Sequence, residues 1–322
     1  MLTDKKISII VICYNDAGSI REMYRRVTEV MKHITPNYEL IYVNDASPDN
    51  AMEILRDLAS RDKKFVVFSH SRNFGGQLAY TTGLEYCAGD AAILLDGDIQ
   101  DPPELFPEMV KKWLEGYDVV YGERARRKGS KIWNVFYKLF YRLFQKLAYI
   151  SVPLDAGDFG LMDRKVINAI NRMPERERYI RGLRAWVGFK STGIPYTRGA
   201  PFDHRRSNNS VFWSVIYAKK LILSFSYKPL EWISYLATFV VCLTGIAIVI
   251  YLVLYFTLPE APRGIPTLIM LILFLGGIQL FALAVIAEYL GKVFEEVKRR
   301  PKSLVAETLN YTGLKELNSG RD

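Results

Sequence analysis

Short, nearly continuous apolar runs alternate with amphipathic stretches through the first 120 or so residues. Ile7–Cys13 (ISIIVIC) has apolar side chains on both faces, which predicts a strand covered on both sides of a sheet. Ser19 and Glu22 have capping-box spacing and predict a helix running to about His33. Tyr38–Val43 predicts the second strand, and Ser47 with Pro48 suits the N-cap and first position of the next helix. Phe65–Ser69 predicts the third strand, followed by a helix to about Cys87. Ala91–Leu95 predicts the fourth, with a helix from about Pro103, and Asp118–Gly122 the fifth. This order predicts an α/β domain with a mostly parallel, Rossmann-like sheet and helices on both faces.

Farther along, the pattern loses its polar face. The 25 residues from Trp232 to Phe256 and the 23 from Ile265 to Ala287 carry no charge. A bilayer core of about 30 Å needs about 20 helical residues, so each stretch is long enough to span it. A soluble helix pair of this length would show a polar stripe. Pro259, Pro262 and Gly264 between them, with Pro266 at the start of the second, predict a tight turn, hence a two-helix transmembrane hairpin. Ile7–Cys13 is strand length and has no cleavage site, so it does not read as a signal peptide.

Charge orients the hairpin. Lys219, Lys220 and Lys228 precede it, and Lys292, Lys298, Arg299, Arg300 and Lys302 follow it, whereas the connecting turn has only Arg263 beside Glu260. The positive-inside rule then predicts a multi-pass protein of the inner (cytoplasmic) membrane with both termini in the cytoplasm. The expected domains are a cytoplasmic domain over residues 1–228, two transmembrane helices over 229–290 and a cytoplasmic tail over 291–322. Two segments, near 131–150 and 211–227, mix Lys and Arg with Trp, Phe and Tyr and predict amphipathic helices at the membrane surface. From Arg124 to Leu154 there are eight basic residues and no acidic one, a segment attractive to anionic lipid. The net charge of +9 is therefore assigned to the membrane, not to nucleic acid, for which no motif is present. Three scattered cysteines argue against a disulfide framework, and Gly276 and Gly277 are compatible with helix packing in a homo-oligomer.

Ligands of such sheets bind beyond the carboxyl ends of the strands. No glycine-rich phosphate loop occurs there. Instead the fourth strand runs into Asp96-Gly97-Asp98-Ile99-Gln100-Asp101, a pair of carboxylates suited to Mg²⁺ or Mn²⁺ bridging substrate phosphates. Tyr14, Asn15 and Asp16 follow the first strand and Asn44, Asp45, Ala46 and Ser47 the second, offering groups that stack on a base or accept from its N–H or from ribose hydroxyls. Asp45 and Ser47 also suit plain helix capping. Arg72-Asn73-Phe74-Gly75-Gly76 adds a cation and a flexible backbone after the third strand.

Six stretches in order, ICYND (12–16), VNDASPDN (43–50), SRNFGGQLA (71–79), LLDGDIQDPPE (94–104), DAGDFGLMDRK (155–165) and EYLGKVFEEVKRRP (288–301), resemble the family-2 glycosyltransferases of GT-A fold, and most nearly the polyisoprenyl-phosphate glycosyltransferases. The resemblance implies that Asp16 and Asp45 hold the nucleoside and that Asp96, Asp98 and Gln100 sit at the metal and diphosphate. It also implies that Asp158 lies beside the acceptor, where the family has a carboxylate often called the catalytic base, and that Arg205 (or Arg206) binds phosphate. Departures include Cys13 where the family usually has Pro, Asp16 in place of Glu, Ala46 in place of Gly, and Asn208-Asn209-Ser210-Val211 where it has Gly-x-Ser-Lys.

The implied reaction is inverting, metal-dependent transfer of one hexose from a nucleotide sugar, with UDP-glucose the expected donor, to a polyprenyl (undecaprenyl) phosphate, for cell-envelope glycan modification. A phosphate monoester has its second pKa near ~6 and is mostly dianionic at neutral pH, so a positioning role for Asp158 is expected ahead of a base role. A processive polysaccharide synthase would need more spans and a Gln-x-x-Arg-Trp stretch; Arg181-Gly-Leu-Arg184-Ala-Trp186 lacks the Gln. A non-catalytic membrane-anchored nucleotide-sugar binder would not need the acidic set.

Overall fold

The computed structural model describes residues 1–124, 156–199, 226, 228–257 and 264–311. Nearly all of the expected interface segments at 131–150 and 211–227, together with Arg205 and Arg206, lies outside the described residues. The chain forms two compact units, one holding the sheet and its helices and the other two long helices.

The sheet has eight strands: β1 (Ile7–Cys13), β2 (Tyr38–Asn44), β3 (Phe65–His70), β4 (Ala91–Asp96), β5 (Val119–Arg124), β6 (Ala156–Asp163), β7 (Ser191–Tyr196) and β8 (Val305–Leu309). Their spatial order is β7-β5-β6-β4-β1-β2-β3-β8. The run β3-β2-β1-β4 is parallel, as the apolar pattern predicts. β6 is inserted antiparallel between β4 and β5, and β8 adds antiparallel to β3. Residues 291–322, expected as a tail, thus supply an edge strand of the sheet. The fold is a GT-A-like α/β fold with a mostly parallel sheet.

Burial explains why the first strands were legible. Ile7, Ile9, Ile10 and Val11 are fully buried, so β1 has no solvent face. Helices α1 (Ala17–Ile34), α2 (Ala51–Arg61), α3 (Gly76–Tyr86) and α4 (Phe106–Leu114) follow the first four strands. α5 (Arg164–Asn171) and α6 (Ile180–Trp186) lie between β6 and β7. In α1, Ile20, Met23, Val27, Met31 and Ile34 repeat every three or four residues and are all within 1 % of complete burial.

Two predicted caps are corrected. α1 begins at Ala17, whose N–H donates to Asp49 from the next loop at 3.0 Å, so Ser19 sits inside the first turn. Its hydroxyl reaches Asp16 O at 2.7 Å and Gly97 O at 2.6 Å, and Glu22 pairs with Arg25. α2 begins at Ala51, not beside Pro48, and Asp49 accepts from Ala51 N at 3.1 Å. Ser47 is used across loops instead, accepting from Asn15 N at 2.7 Å and donating to Asp49 at 2.6 Å.

In the second unit, α7 (Lys228–Thr257) and α8 (Ile265–Val297) have 30 and 33 residues. Within α8, Phe274–Val297 is long and apolar enough to cross a membrane, with a mean hydropathy of 1.7. It is the one such stretch among the described residues, and it starts nine residues later than the charge-free run suggested.

The register brings Cys13, Asn44 and the Asp96 end of β4 level, so the loops that follow converge. Three of them hold a non-glycine residue in the left-handed region: Asn15 (φ 60), Ala46 (φ 53) and Ile99 (φ 59). That conformation costs an L-residue about 1–2 kcal/mol, while glycine costs about 0.5–1 kcal/mol in chain entropy. Ala46→Gly is therefore expected to stabilise the fold by about 0.5–1 kcal/mol, raising Tm by about 2 °C in a thermal-shift measurement. A lowered Tm would show that the Ala46 methyl contributes more than its backbone strain costs.

Candidate active site

The converging loops enclose an open cleft of about 250 Å³ at the carboxyl end of the parallel strands. Tyr14, Asp16, Asp45, Asp96 and Asp98 all line it, which brings together five of the residues singled out in the sequence. Asn15 does not line it; its N–H is tied to Ser47. Arg72 does not either. Its guanidinium lies over the Phe74 ring at 4.0 Å and donates to Asn73 O, and Asn73 takes the place in the lining.

Glycine is required between the two carboxylates of the β4 loop. A Cβ on Gly97 would stand 2.5 Å from Ile12 O and 3.3 Å from an Asp16 carboxylate oxygen. The β1 and β4 loops can touch only because that atom is missing. Asp96 accepts from the Tyr80 hydroxyl at 2.6 Å and from Arg198 at 3.1 Å. The same guanidinium lies 3.6 Å from Asp98 and 3.3 Å from Asp101, and Tyr196 donates to Asp101. Burial and the nearby Asp101 carboxylate push the Asp96 carboxyl up to about 6, against the Tyr80 hydrogen bond. Burial raises Asp98 too, opposed by the Gln100 N–H and by Arg198. Gln100 lies beside them, with its side-chain amide donating to Gly199 O at 3.2 Å.

Among the described residues no group of three or more His, Cys, Asp or Glu side chains is arranged to hold a metal ion alone. A hard divalent ion such as Mg²⁺ needs only one or two carboxylates when substrate phosphates complete its shell. The oxygen-only donor set of Asp96 and Asp98 fits that chemistry, and the Arg198 guanidinium between them shows that the pair already attracts a cation.

Asp45 is almost completely buried and works hard within the protein. One of its oxygens accepts from His70 Nδ1 and from Phe74 N, both at 2.8 Å, and the other from Gly75 N at 2.7 Å. Burial would raise its carboxyl, but the His70 bond and the two backbone N–H groups outweigh it and hold it below the usual range. Gly75 supplies the φ of 96° that the turn needs. Cys13, in the same cleft, has its thiol pushed up to about 12 by burial, so it is not a nucleophile.

Asp158 sits in the middle of β6 rather than in a loop. Arg181 grips it with two nitrogens, at 3.1 and 3.2 Å, and Gln77 donates to it at 3.1 Å. Gln77 also accepts from Ile180 N, locking the start of α6 to α3. Arg184, buried one turn farther on, donates to Gly157 O and is lowered to about 10 by burial. Burial would raise the Asp158 carboxyl; Arg181 first, then Arg184 and Gln77, hold it below the usual carboxylate range. Sequence reasoning missed Gln77, Tyr80, Arg181, Arg184 and Arg198. The signal for two of them was present, since arginines three apart in the short apolar helix IRGLRAW call for a buried counter-charge.

Residues 8–170 match the model of the family described as "Glycosyl transferase family 2". An uncharacterized glycosyltransferase of Synechocystis sp. is 40% identical over 318 residues, covering 97% of this chain and 99% of the relative. An uncharacterized glycosyltransferase of Bacillus subtilis is 41% identical over 315 residues, covering 94% and 93%. The SfII prophage-derived bactoprenol glucosyl transferase of Shigella flexneri is 34% identical over 311 residues, covering 94% and 98%.

Replacing Asp158 by Asn leaves the half-buried Arg181 and the buried Arg184 without their carboxylate, at an expected cost of about 3 kcal/mol at neutral pH. Because the folded-state carboxyl is lowered, this stabilisation is complete above the ordinary value of about 3.9 and is lost as pH falls through the lowered one. Thermal melts of wild type and Asp158→Asn should therefore differ most near neutrality and converge in acid. A gap that does not change with pH would mean that the ion pair is not its source.

Proposed function

The chain belongs to glycosyl transferase family 2, in its polyprenyl-phosphate group, and from that premise we propose that this glycosyltransferase moves a single glucose from UDP-glucose to polyprenyl (undecaprenyl) phosphate with inversion, for modification of a cell-envelope glycan. One observation carries the reading: Asp45, Asp96 and Asp98 face a single cleft at the carboxyl ends of the parallel strands. The acceptor class is supported by a nearly full-length relative named for bactoprenol.

In this reading the exposed Tyr14 ring stacks on the base at the mouth of the cleft. A carboxylate has about four lone-pair sites, of which Asp45 uses three within the protein; the remaining one accepts from the base N–H. Asp16, against Gly97, faces the ribose. Asp96 and Asp98 lie toward the diphosphate, with Arg205 contributing a phosphate contact. A divalent cation, Mg²⁺ or Mn²⁺, would be held by Asp96 and Asp98 with Gln100 beside them and would neutralise charge on the departing diphosphate. An oxygen of the lipid phosphate attacks the anomeric carbon from the face opposite UDP. That oxygen is already ionised near neutral pH, and a carboxylate held low by two arginines is a poor base. Asp158 therefore positions the acceptor through Arg181 instead of removing a proton.

The membrane-facing part of the reading rests on charge and length. α7 and α8 form a transmembrane hairpin, with Lys and Arg flanking both outer ends, and the sheet domain and both termini face the cytoplasm. The mixed basic and aromatic sequence of residues 131–150 and 211–227 supports contact with anionic lipid.

Full-length protein in detergent, given labelled UDP-glucose, Mg²⁺ or Mn²⁺ and undecaprenyl phosphate, is expected to yield one sugar per lipid with inverted anomeric configuration. A polymer would instead indicate a processive synthase, and binding without turnover a sensor. Asp98→Asn should lower kcat by about 100-fold or more without unfolding the protein. Folded Asp158→Asn should lose much of its kcat while keeping the wild-type pH profile; loss of the acid limb would establish Asp158 as a general base.

A further inference from the structure

The chain returns to the sheet soon after α8, and its first residues there reach toward the cleft. Ser71 N donates to Leu304 O at 2.9 Å, and β8 then pairs with β3. Asn310 donates to three carbonyls, those of Ala59, Asp62 and Phe65, and closes the far end. Immediately before the first of these fixed points, Ser303 Oγ lies 2.8 Å from Thr82 Oγ1, which lies 2.8 Å from Nε2 of the fully buried His70 side chain. His70 Nδ1 is 2.8 Å from Asp45.

Proton bookkeeping gives this chain a direction. The Asp45 carboxylate, held low, only accepts, so His70 Nδ1 carries the hydrogen between them. In the neutral imidazole Nε2 then accepts, and its donor is the Thr82 hydroxyl. Thr82 has one proton to give and its helix carbonyl, Leu78 O at 3.1 Å, competes for it. Ser303 donating into the Thr82 oxygen leaves that proton for His70. Asp45, fixed from behind, in turn fixes Phe74 N and Gly75 N, and with them the turn that lines the cleft at Asn73 and Gly76.

We infer that the segment following α8 is a component of the donor site: Ser303, through Thr82 and His70, is a positioning residue for Asp45 and the Asn73–Gly76 turn, which receive the nucleoside diphosphate. This rests on the donor reading of the cleft given above. It goes beyond that reading by assigning donor affinity to residues at opposite ends of the chain, none of which touches the ligand.

The test uses full-length protein in detergent. Only three histidines occur in the sequence, His33, His70 and His204, so nitrogen NMR of ¹⁵N-histidine-labelled protein can resolve the buried one. Wild type should show His70 with hydrogen on Nδ1 only; hydrogen on Nε2 overturns the inference. Ser303→Ala and Thr82→Val should raise the donor KM and the UDP dissociation constant three- to tenfold, the scale of one hydrogen bond, with kcat at saturation changed less than twofold. Ser303→Thr, which keeps the donor, should restore both values. A Ser303→Ala protein with lowered Tm, unchanged donor KM and an unchanged His70 spectrum would reduce Ser303 to a structural contact and overturn the inference. Wild type with the assigned tautomer but no UDP binding would overturn the donor reading on which it rests. Should Thr82→Val fail to fold, the Ser303 pair and the wild-type spectrum still decide.

Discussion

Like charges crowded into a half-buried cleft must be balanced, and the loop after β4 is built around that requirement. Asp96, Asp98 and Asp101 all lie within 3.6 Å of the Arg198 guanidinium. Burial and mutual repulsion raise the two carboxyls that face the cleft. Asp101, almost fully buried, instead receives the Tyr196 hydroxyl and stays behind the loop. The guanidinium at its centre therefore balances the cluster. The left-handed Ile99, a β-branched residue in a conformation that usually excludes one, is where the loop stores backbone strain between Asp98 and Gln100.

Across the cleft the balance is reversed. β6 carries Asp158, and α6 presents Arg181 and Arg184 to the same strand. The insertion of β6 between β4 and β5 makes this possible: an antiparallel strand there puts Asp158 in the same sheet as Asp96, although the two are 62 positions apart in the chain. One side of the site thus carries surplus negative charge and the other surplus positive charge.

Legibility from sequence followed burial. β1 to β4 and the residues at their ends could be read because parallel strands covered on both faces are continuous apolar runs, and ligands gather at their carboxyl ends. β6 could not, because AGDFGLMD mixes glycine and aspartate in a way that reads as loop. Its glycine is a packing requirement, as a Cβ on Gly160 would stand 2.7 Å from Val120 O. The helix starts were misplaced for a related reason. Each candidate N-cap, Ser19 and Ser47, found a better partner in a neighbouring loop, and no local pattern reveals a partner tens of residues away. The same holds for Arg198 and Ser303, whose partners are distant in sequence and whose roles appear only when the strands are assembled.

The return of the chain to the sheet after α8 has a mechanical consequence. β7 and β8 belong to one sheet, yet α7 and α8 lie between them in sequence, so the long apolar helices are an insertion within the catalytic unit and not an appendage at its end. Seven residues separate Val297 from Val305, a reach of about 25 Å at full extension. The ladder between β3 and β8 fixes the far end of that segment to the strand that carries His70, and the Asn310 bonds and the Arg56–Glu307 pair fix it to α2 and the start of β3.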